Sequence, residues 1–141
     1  MKGLRNKIVP LAVTLLRIST GVIMASHGWD KASDIGKWTA QLTSLGVPYP
    51  QINAYLSIAG ELGGGLGLIV GLLTPIAALG IMSSMAVAIF KVHLHNGLAA
   101  KDNGFEYPMT LFWIAFFFFC NGAGPLSLDR LFCKPKPSPN P

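Results

Sequence analysis

Residues 52–73 read INAYLSIAGELGGGLGLIVGLL, an apolar stretch with one charge, Glu61, and glycine at positions 60, 63, 64, 65, 67 and 71. In water, each glycine weakens a helix by roughly 1 kcal/mol relative to alanine. In lipid, the same small residues let two helix backbones approach closely. At about 1.5 Å per residue, a helix of this length crosses a hydrocarbon core of about 30 Å. The stretch is therefore read as a membrane-spanning helix central to a bundle.

Working outward, three more runs have similar length and polarity. They cover about residues 8–28, 75–95 and 107–124. Thr74-Pro75 turns the chain between the second and third runs, since proline suits the first turn of a new helix. Residues 29–51 are mixed and polar, but Ile35, Trp38, Leu42 and Leu45 recur at helical spacing. That pattern predicts a short amphipathic helix at the interface, with Trp29 and Trp38 at headgroup level. Residues 96–106 form a polar loop, and Gly122, Gly124 and Pro125 end the fourth run. The fold expected is all-α: an integral membrane four-helix bundle with a short interfacial helix between the first and second spans. Residues 1–132 make one membrane domain, and 133–141 a proline-rich cytoplasmic tail.

Composition agrees with lipid as the solvent. Of 141 residues, 51% are apolar and 12% charged, about half the charged share usual in soluble domains. A signal peptide would explain the basic start and first apolar run, but Arg17 interrupts that run and Ala25-Ser26-His27 is a poor cleavage site. The net charge of +5 raises the question of nucleic acid. The basic residues form no stripe, however, and sit at the ends of apolar runs, so no nucleic-acid partner is expected. Lys2, Arg5, Lys7, Arg130, Lys134 and Lys136 fall on one side, and Lys31, Lys37, Lys91 and Lys101 on the other. This bias places both termini in the cytoplasm. Cys120 and Cys133 form no close pair, so both are read as free thiols without zinc or dithiol chemistry.

Two charges stand out because a charge at mid-membrane costs at least about 2.5–3.5 kcal/mol. Counted back from His27 and Asn53, Arg17 and Glu61 both lie about 12–15 Å deep on antiparallel neighbours. They are expected to pair, or to share water or a polar ligand. Helical spacing puts Lys31 on the face of Arg17, and Ser57 on the face of Glu61. A polar cavity opening outward is expected from Arg17, His27, Lys31, Glu61 and His95, with Glu106 at its rim. Trp113, with Phe116 to Phe119, offers an aromatic wall for a flat ring such as a quinone, although packing is the simpler role for these aromatics. His27, His93 and His95 raise the question of a metal or haem. A two-residue spacing points helical side chains apart, so no metal is expected and the histidines are read as hydrated interfacial groups.

Several short motifs recur in a fixed order: Arg17, His27-Gly28-x-x-Lys31, Leu45-Gly46-x-Pro48, Glu61 with the glycine run, Gly71-Leu72-x-Thr74-Pro75, and Gly122-x-Gly124-Pro125-Leu126-Ser127-Leu128-Asp129. In this order and spacing the chain resembles the DoxX family of small four-helix bacterial membrane proteins, grouped with DoxD-like proteins. The resemblance runs from Arg17 to Asp129. It implies residence in the bacterial cytoplasmic (inner) membrane and an association with membrane oxidoreductases, including sulfur and thiol oxidation that delivers electrons to quinone. The sequence carries no haem, flavin or iron–sulfur motif, so no intrinsic cofactor is expected beyond a bound quinone. The first expectation is thus a redox-associated subunit, not a complete enzyme, that binds quinone or a small sulfur compound. The alternative is a non-enzymatic assembly or anchoring partner of a membrane complex. A small transporter comes last, since four helices would need a homodimer for alternating access. The partners expected are the lipid bilayer, an oxidoreductase partner subunit and a second copy of the chain.

Overall fold

The computed structural model of the protein describes residues 2–132, in which every regular element is helical. The segment 133–141, including Cys133, lies outside the described residues. Helix α1 runs Lys2–Ser33 and α2 runs Ile35–Ser44. Helix α3, Pro50–Ile58, continues through a π-helical turn, Ala59–Gly63, into α4, Gly64–Val70. Helix α5, Thr74–Val87, continues through a second π-helical turn, Ala88–His93, and a 3-10 turn, Leu94–Asn96. Helix α6 covers Glu106–Asn121 and α7 covers Leu128–Phe132. Two of these rods, Gly3–Ser33 and Thr74–Asn96, are long and apolar enough to cross a membrane.

The first helix is longer than the run at 8–28 suggests. Gly28 does not end it, because it is there for packing: its α-carbon lies directly against the backbone of Leu62. The break comes at Asp34, whose carboxylate caps α2 by accepting a hydrogen bond from the Lys37 amide at 2.9 Å. Helix α2 is the amphipathic element anticipated between the first and second runs. It buries Leu42 together with Val47 and Ala54, and Ile35, Trp38 and Leu45 pack around them.

Glycine sets the helix spacing. A methyl group at Gly65 would sit 2.7 Å from the Gly21 carbonyl oxygen, and one at Gly64 would sit 2.7 Å from that of Ala77. Helix α4 is thereby pressed against α1 on one side and α5 on the other. The core draws Met24 from α1, Leu68 from α4, Ala78, Ile81 and Met85 from α5, and Leu111, Ala115 and Phe118 from α6. The outward faces are apolar as well: Leu15 is 58% exposed, Tyr55 59% and Phe90 64%. A soluble monomer seldom carries so much contiguous apolar surface. The chain is a small membrane protein.

At the end where α4 gives way to α5, the C-terminal segment acts as a clamp. Gly71 and Leu73 both adopt positive φ, so the start of α5 has no side-chain cap of its own. Asp129 supplies one from 55 residues away: its carboxylate accepts from the amides of Leu73 at 2.6 Å and Thr74 at 2.9 Å. Its own amide donates to the Gly71 carbonyl at 2.8 Å. Partial burial works against the Asp129 charge. The hydrogen bonds from Thr74 and Leu73, with the Arg17 guanidinium nearby, outweigh it and hold the carboxyl below its ordinary value of 3.8.

The sign of the pH effect follows. A depressed carboxyl pKa stabilises the fold above the unfolded value, and the contribution is lost as pH falls through the folded one. Asp129→Asn is expected to lower the melting temperature at pH 7, by the equivalent of about 1–3 kcal/mol for lost charged hydrogen bonds. The parent should lose stability more steeply than the variant as pH drops from about 5 to below 3.5. Parallel melting curves of the two proteins across that range check this.

Candidate functional site

The register of α1 against α4 decides which charges meet. Gly28 lies against Leu62, Gly21 against Gly65 and Ile69, and Arg17 against Gly71. Glu61 and Gly71 are ten positions apart, so Arg17 and Glu61 sit about 15 Å from each other along the bundle. The expected Arg17–Glu61 pair does not form. The depth count went wrong because α1 extends to Ser33 and not to His27, which moves Arg17 further from the outer end than the count allowed.

Arg17 belongs instead to the clamp. It is 2% exposed, and its Nη2 donates to the Leu126 carbonyl at 2.6 Å. Glu61, 1% exposed, pairs with Lys31, which the first helix's extra turns bring to its level. The π-helical turn at Ala59–Gly63 carries Glu61. Such turns add a residue to a helix and often occur at functional positions.

Two further groups complete this cluster. The Lys31 ammonium lies 4.4 Å from the centroid of the Trp38 ring, a cation–π contact that strengthens away from water. The Trp38 indole Nε1 donates to Ser57 Oγ at 2.8 Å, and Ser57 donates in turn to the Ala54 carbonyl at 2.9 Å. Helix α2 thus closes over the pair from the outer side. In the sequence Trp38 reads as an interfacial anchor; its tie to Lys31 needs the fold. Ser57 had a signal, one helical turn before Glu61 on the same face.

The remaining candidates lie elsewhere. His27 is exposed, with Nε2 3.2 Å from the Tyr107 hydroxyl. His93 Nδ1 approaches the Asn103 carbonyl at 2.8 Å, while His95 is exposed on the 3-10 turn. Glu106 accepts from the Ala100 amide at 2.6 Å and so braces the loop before α6. Trp113 is 58% exposed and stacks edge-on with Phe112 and Phe116 on the outer face of α6. Of the seven predicted site residues, the structure therefore brings Lys31 and Glu61 together. The polar stripes do not converge on one cavity, because His95, Glu106 and Trp113 are turned away from it.

The Lys31–Glu61 pair opens onto a groove of about 1010 Å³ between α3–α4 and α5. Its outer end holds Lys31, Trp38, Asn53, Ser57 and Glu61, and Lys91 from the second π-helical turn. Its walls continue through Gly60, Gly64, Gly67, Ala77 and Gly80 to Leu73 and Ile76 at the other end. From Asn53 to Leu73 this is a path of about 30 Å. The groove is polar at one end and apolar along the rest.

The DoxX family model matches residues 12–94. The chain belongs to the DoxX family. An uncharacterized protein of Haemophilus influenzae (strain ATCC 51907 / DSM 11121 / KW20 / Rd) is 30% identical over 116 residues, which is 75% of this chain and 77% of that one. No solved structure matches. The matched region of this DoxX protein contains Arg17, Lys31, Trp38, Ser57 and Glu61, and hence the outer cluster complete. Asp129 lies beyond it.

The new pairing changes which substitutions compensate. Lys31→Leu leaves a buried carboxylate alone, and breaking a buried pair costs on the order of 3–5 kcal/mol. Glu61→Leu should cost less, because the Lys31 side chain is 22% exposed and can reach water. The double variant Lys31→Leu/Glu61→Leu should recover most of the loss in melting temperature in detergent. Recovery by Arg17→Leu/Glu61→Leu instead would contradict the observed pairing.

Proposed function

We propose that this DoxX protein crosses the bacterial inner membrane four times, as a four-helix bundle with both termini in the cytoplasm, and binds a member of the quinone pool in the groove. Within this reading the spans are α1, α3–α4, α5 with its π-helical turn, and α6. The basic residues support the orientation. The clamp adds Arg17 to the side of Arg5, Lys7 and Arg130, while Lys31, Lys37, Lys91 and Lys101 stay on the other.

The observation that carries the ligand assignment is the groove's polarity profile. A quinone has a flat polar ring and a long apolar tail. The ring suits the end with Lys31, Glu61, Trp38 and Ser57; the tail suits the apolar remainder of the wall, about 18 Å from Glu61 to Leu73. A small hydrophilic sulfur compound would leave most of that wall unfilled, so the quinone is favoured over it. Arg17 takes no part in the ligand site, and Trp113 faces away. The sequence carries no haem, flavin or iron–sulfur motif, and in this reading the protein acts as a quinone-handling subunit beside an oxidoreductase partner.

A second reading has its own support. A methyl group at Gly63, on the groove wall, would touch nothing within 4 Å, and small residues are what transmembrane helices use to dock. In that reading the groove holds a helix of a partner subunit, and the protein serves assembly or anchoring.

Protein extracted with native lipids is expected to retain quinone. Depleted protein should gain thermal stability with decylubiquinone or decylubiquinol. No retained quinone and no shift with either would remove the quinone reading, and stoichiometric co-purification of a partner helix would replace it. Reporter fusions in residues 36–44 and 97–104 should read external, and a fusion after Pro141 cytoplasmic.

A further inference from the structure

The outer cluster is not balanced in hydrogen bonds. One oxygen of Glu61 is held by Lys31, but Oε2 is buried and has no donor among the described residues. Two nearby donors are committed elsewhere. Trp38 Nε1 goes to Ser57, and the Ser57 hydroxyl goes to the Ala54 carbonyl. Gly60, Gly63 and Gly64, which flank Glu61 on the groove wall, bring no side-chain donor at all. A buried acceptor without a donor costs free energy that a single incoming N–H or O–H restores.

Building on the assignment of the groove to a quinone, we propose that it selects head groups that donate a hydrogen bond, and so holds a quinol or a phenol in preference to a quinone. The two carbonyl oxygens of a quinone are acceptors only. One of them can accept from Lys31, but neither can donate to Glu61 Oε2, which stays without a donor. A quinol hydroxyl reverses this, because its proton goes to Oε2 and its oxygen can accept from the Lys31 ammonium. Lys31 has donors to spare, since an ammonium carries three and one is used on Glu61. The ion pair thereby presents an acceptor and a donor side by side; a hydroxyl uses both, a carbonyl only the donor. Sites that hydrogen-bond a hydroxyl reject analogues lacking it for this reason.

The test uses the purified full chain and two matched pairs of probes. The redox pair is decylubiquinol and decylubiquinone, compared without oxygen. The redox-inert pair is 4-nonylphenol and its methyl ether, which differ only in the donor. Dissociation constants should favour the quinol and the phenol by about 10- to 100-fold. In Glu61→Gln the phenol preference should fall to within about threefold, with ether binding little changed. Equal binding of phenol and ether by the parent protein overturns the donor rule and leaves the quinone assignment standing if both decyl compounds bind. A phenol preference with no binding of either decyl compound keeps the donor rule and removes the quinone assignment. A preference that survives in Glu61→Gln shows that Glu61 is not the acceptor. Should that variant fail to fold, the phenol–ether comparison on the parent still decides the rule.

Discussion

The close contact of α1 with α4 at Gly21 and Gly65 is the constraint on which the rest of the molecule depends. Neither position leaves room for a side chain. Two backbones that approach this closely can slide only by whole steps of their small residues, so the antiparallel register is fixed. Once fixed, it dictates both polar clusters. Lys31 must fall beside Glu61, and Arg17 must fall beside Gly71 and the C-terminal segment. In lipid an unmatched charge is expensive, so a register that strands any of these side chains is disfavoured as strongly as a steric clash.

Much of this was legible in the sequence, and the parts that were not share a cause. Helix content, the turn at Pro75, the amphipathic segment around Trp38 and the packing role of the glycine run follow from composition and periodicity. The error came from a boundary. Gly28 and Asp30 look like the end of an apolar helix, yet α1 runs on to Ser33. Five residues are about 8 Å along a helix, enough to exchange one charge partner for another. Lys31 was placed on the face of Arg17 and in a shared cavity, but was not paired with Glu61. The two π-helical turns left no trace in the residue pattern, since a single inserted residue alters no hydrophobic period that a short segment can reveal. Asp129 was visible as one residue of a terminal motif. Its task as a cap for a distant helix depends on chain tracing between residues 73 and 129, which spacing alone does not supply.

The two polar clusters are alike in composition and unlike in access. Both place a buried charged side chain beside a helix end or turn, Glu61 in an ion pair with Lys31 and Arg17 on the Leu126 carbonyl with Asp129 nearby. The inner one is sealed: Arg17 is 2% exposed and lies off the groove, between Leu126 and Gly71. Its charge is used to hold the C-terminal segment, and its removal would be felt first as lost stability. The outer one forms part of a groove wall, roofed by α2 through Trp38. A charge pair that serves packing alone gains nothing from lying on a groove, and apolar residues of similar size would often serve as well.

That difference is also a difference in how each end is held. Helix α2 holds the outer cluster through one indole hydrogen bond, one cation–π contact and the small apolar cluster of Leu42, Val47 and Ala54. The clamp around Asp129 uses three hydrogen bonds to backbone groups, two accepted by its carboxylate and one donated by its own amide. The inner end is therefore the fixed end of the bundle. The outer end is held by a ten-residue helix, Ile35–Ser44. Lys31 and Glu61 already line the groove beneath that helix, while the register is set elsewhere, at Gly21 and Gly65. The fold thus separates the contacts that fix the helices from the ion pair that lines the groove.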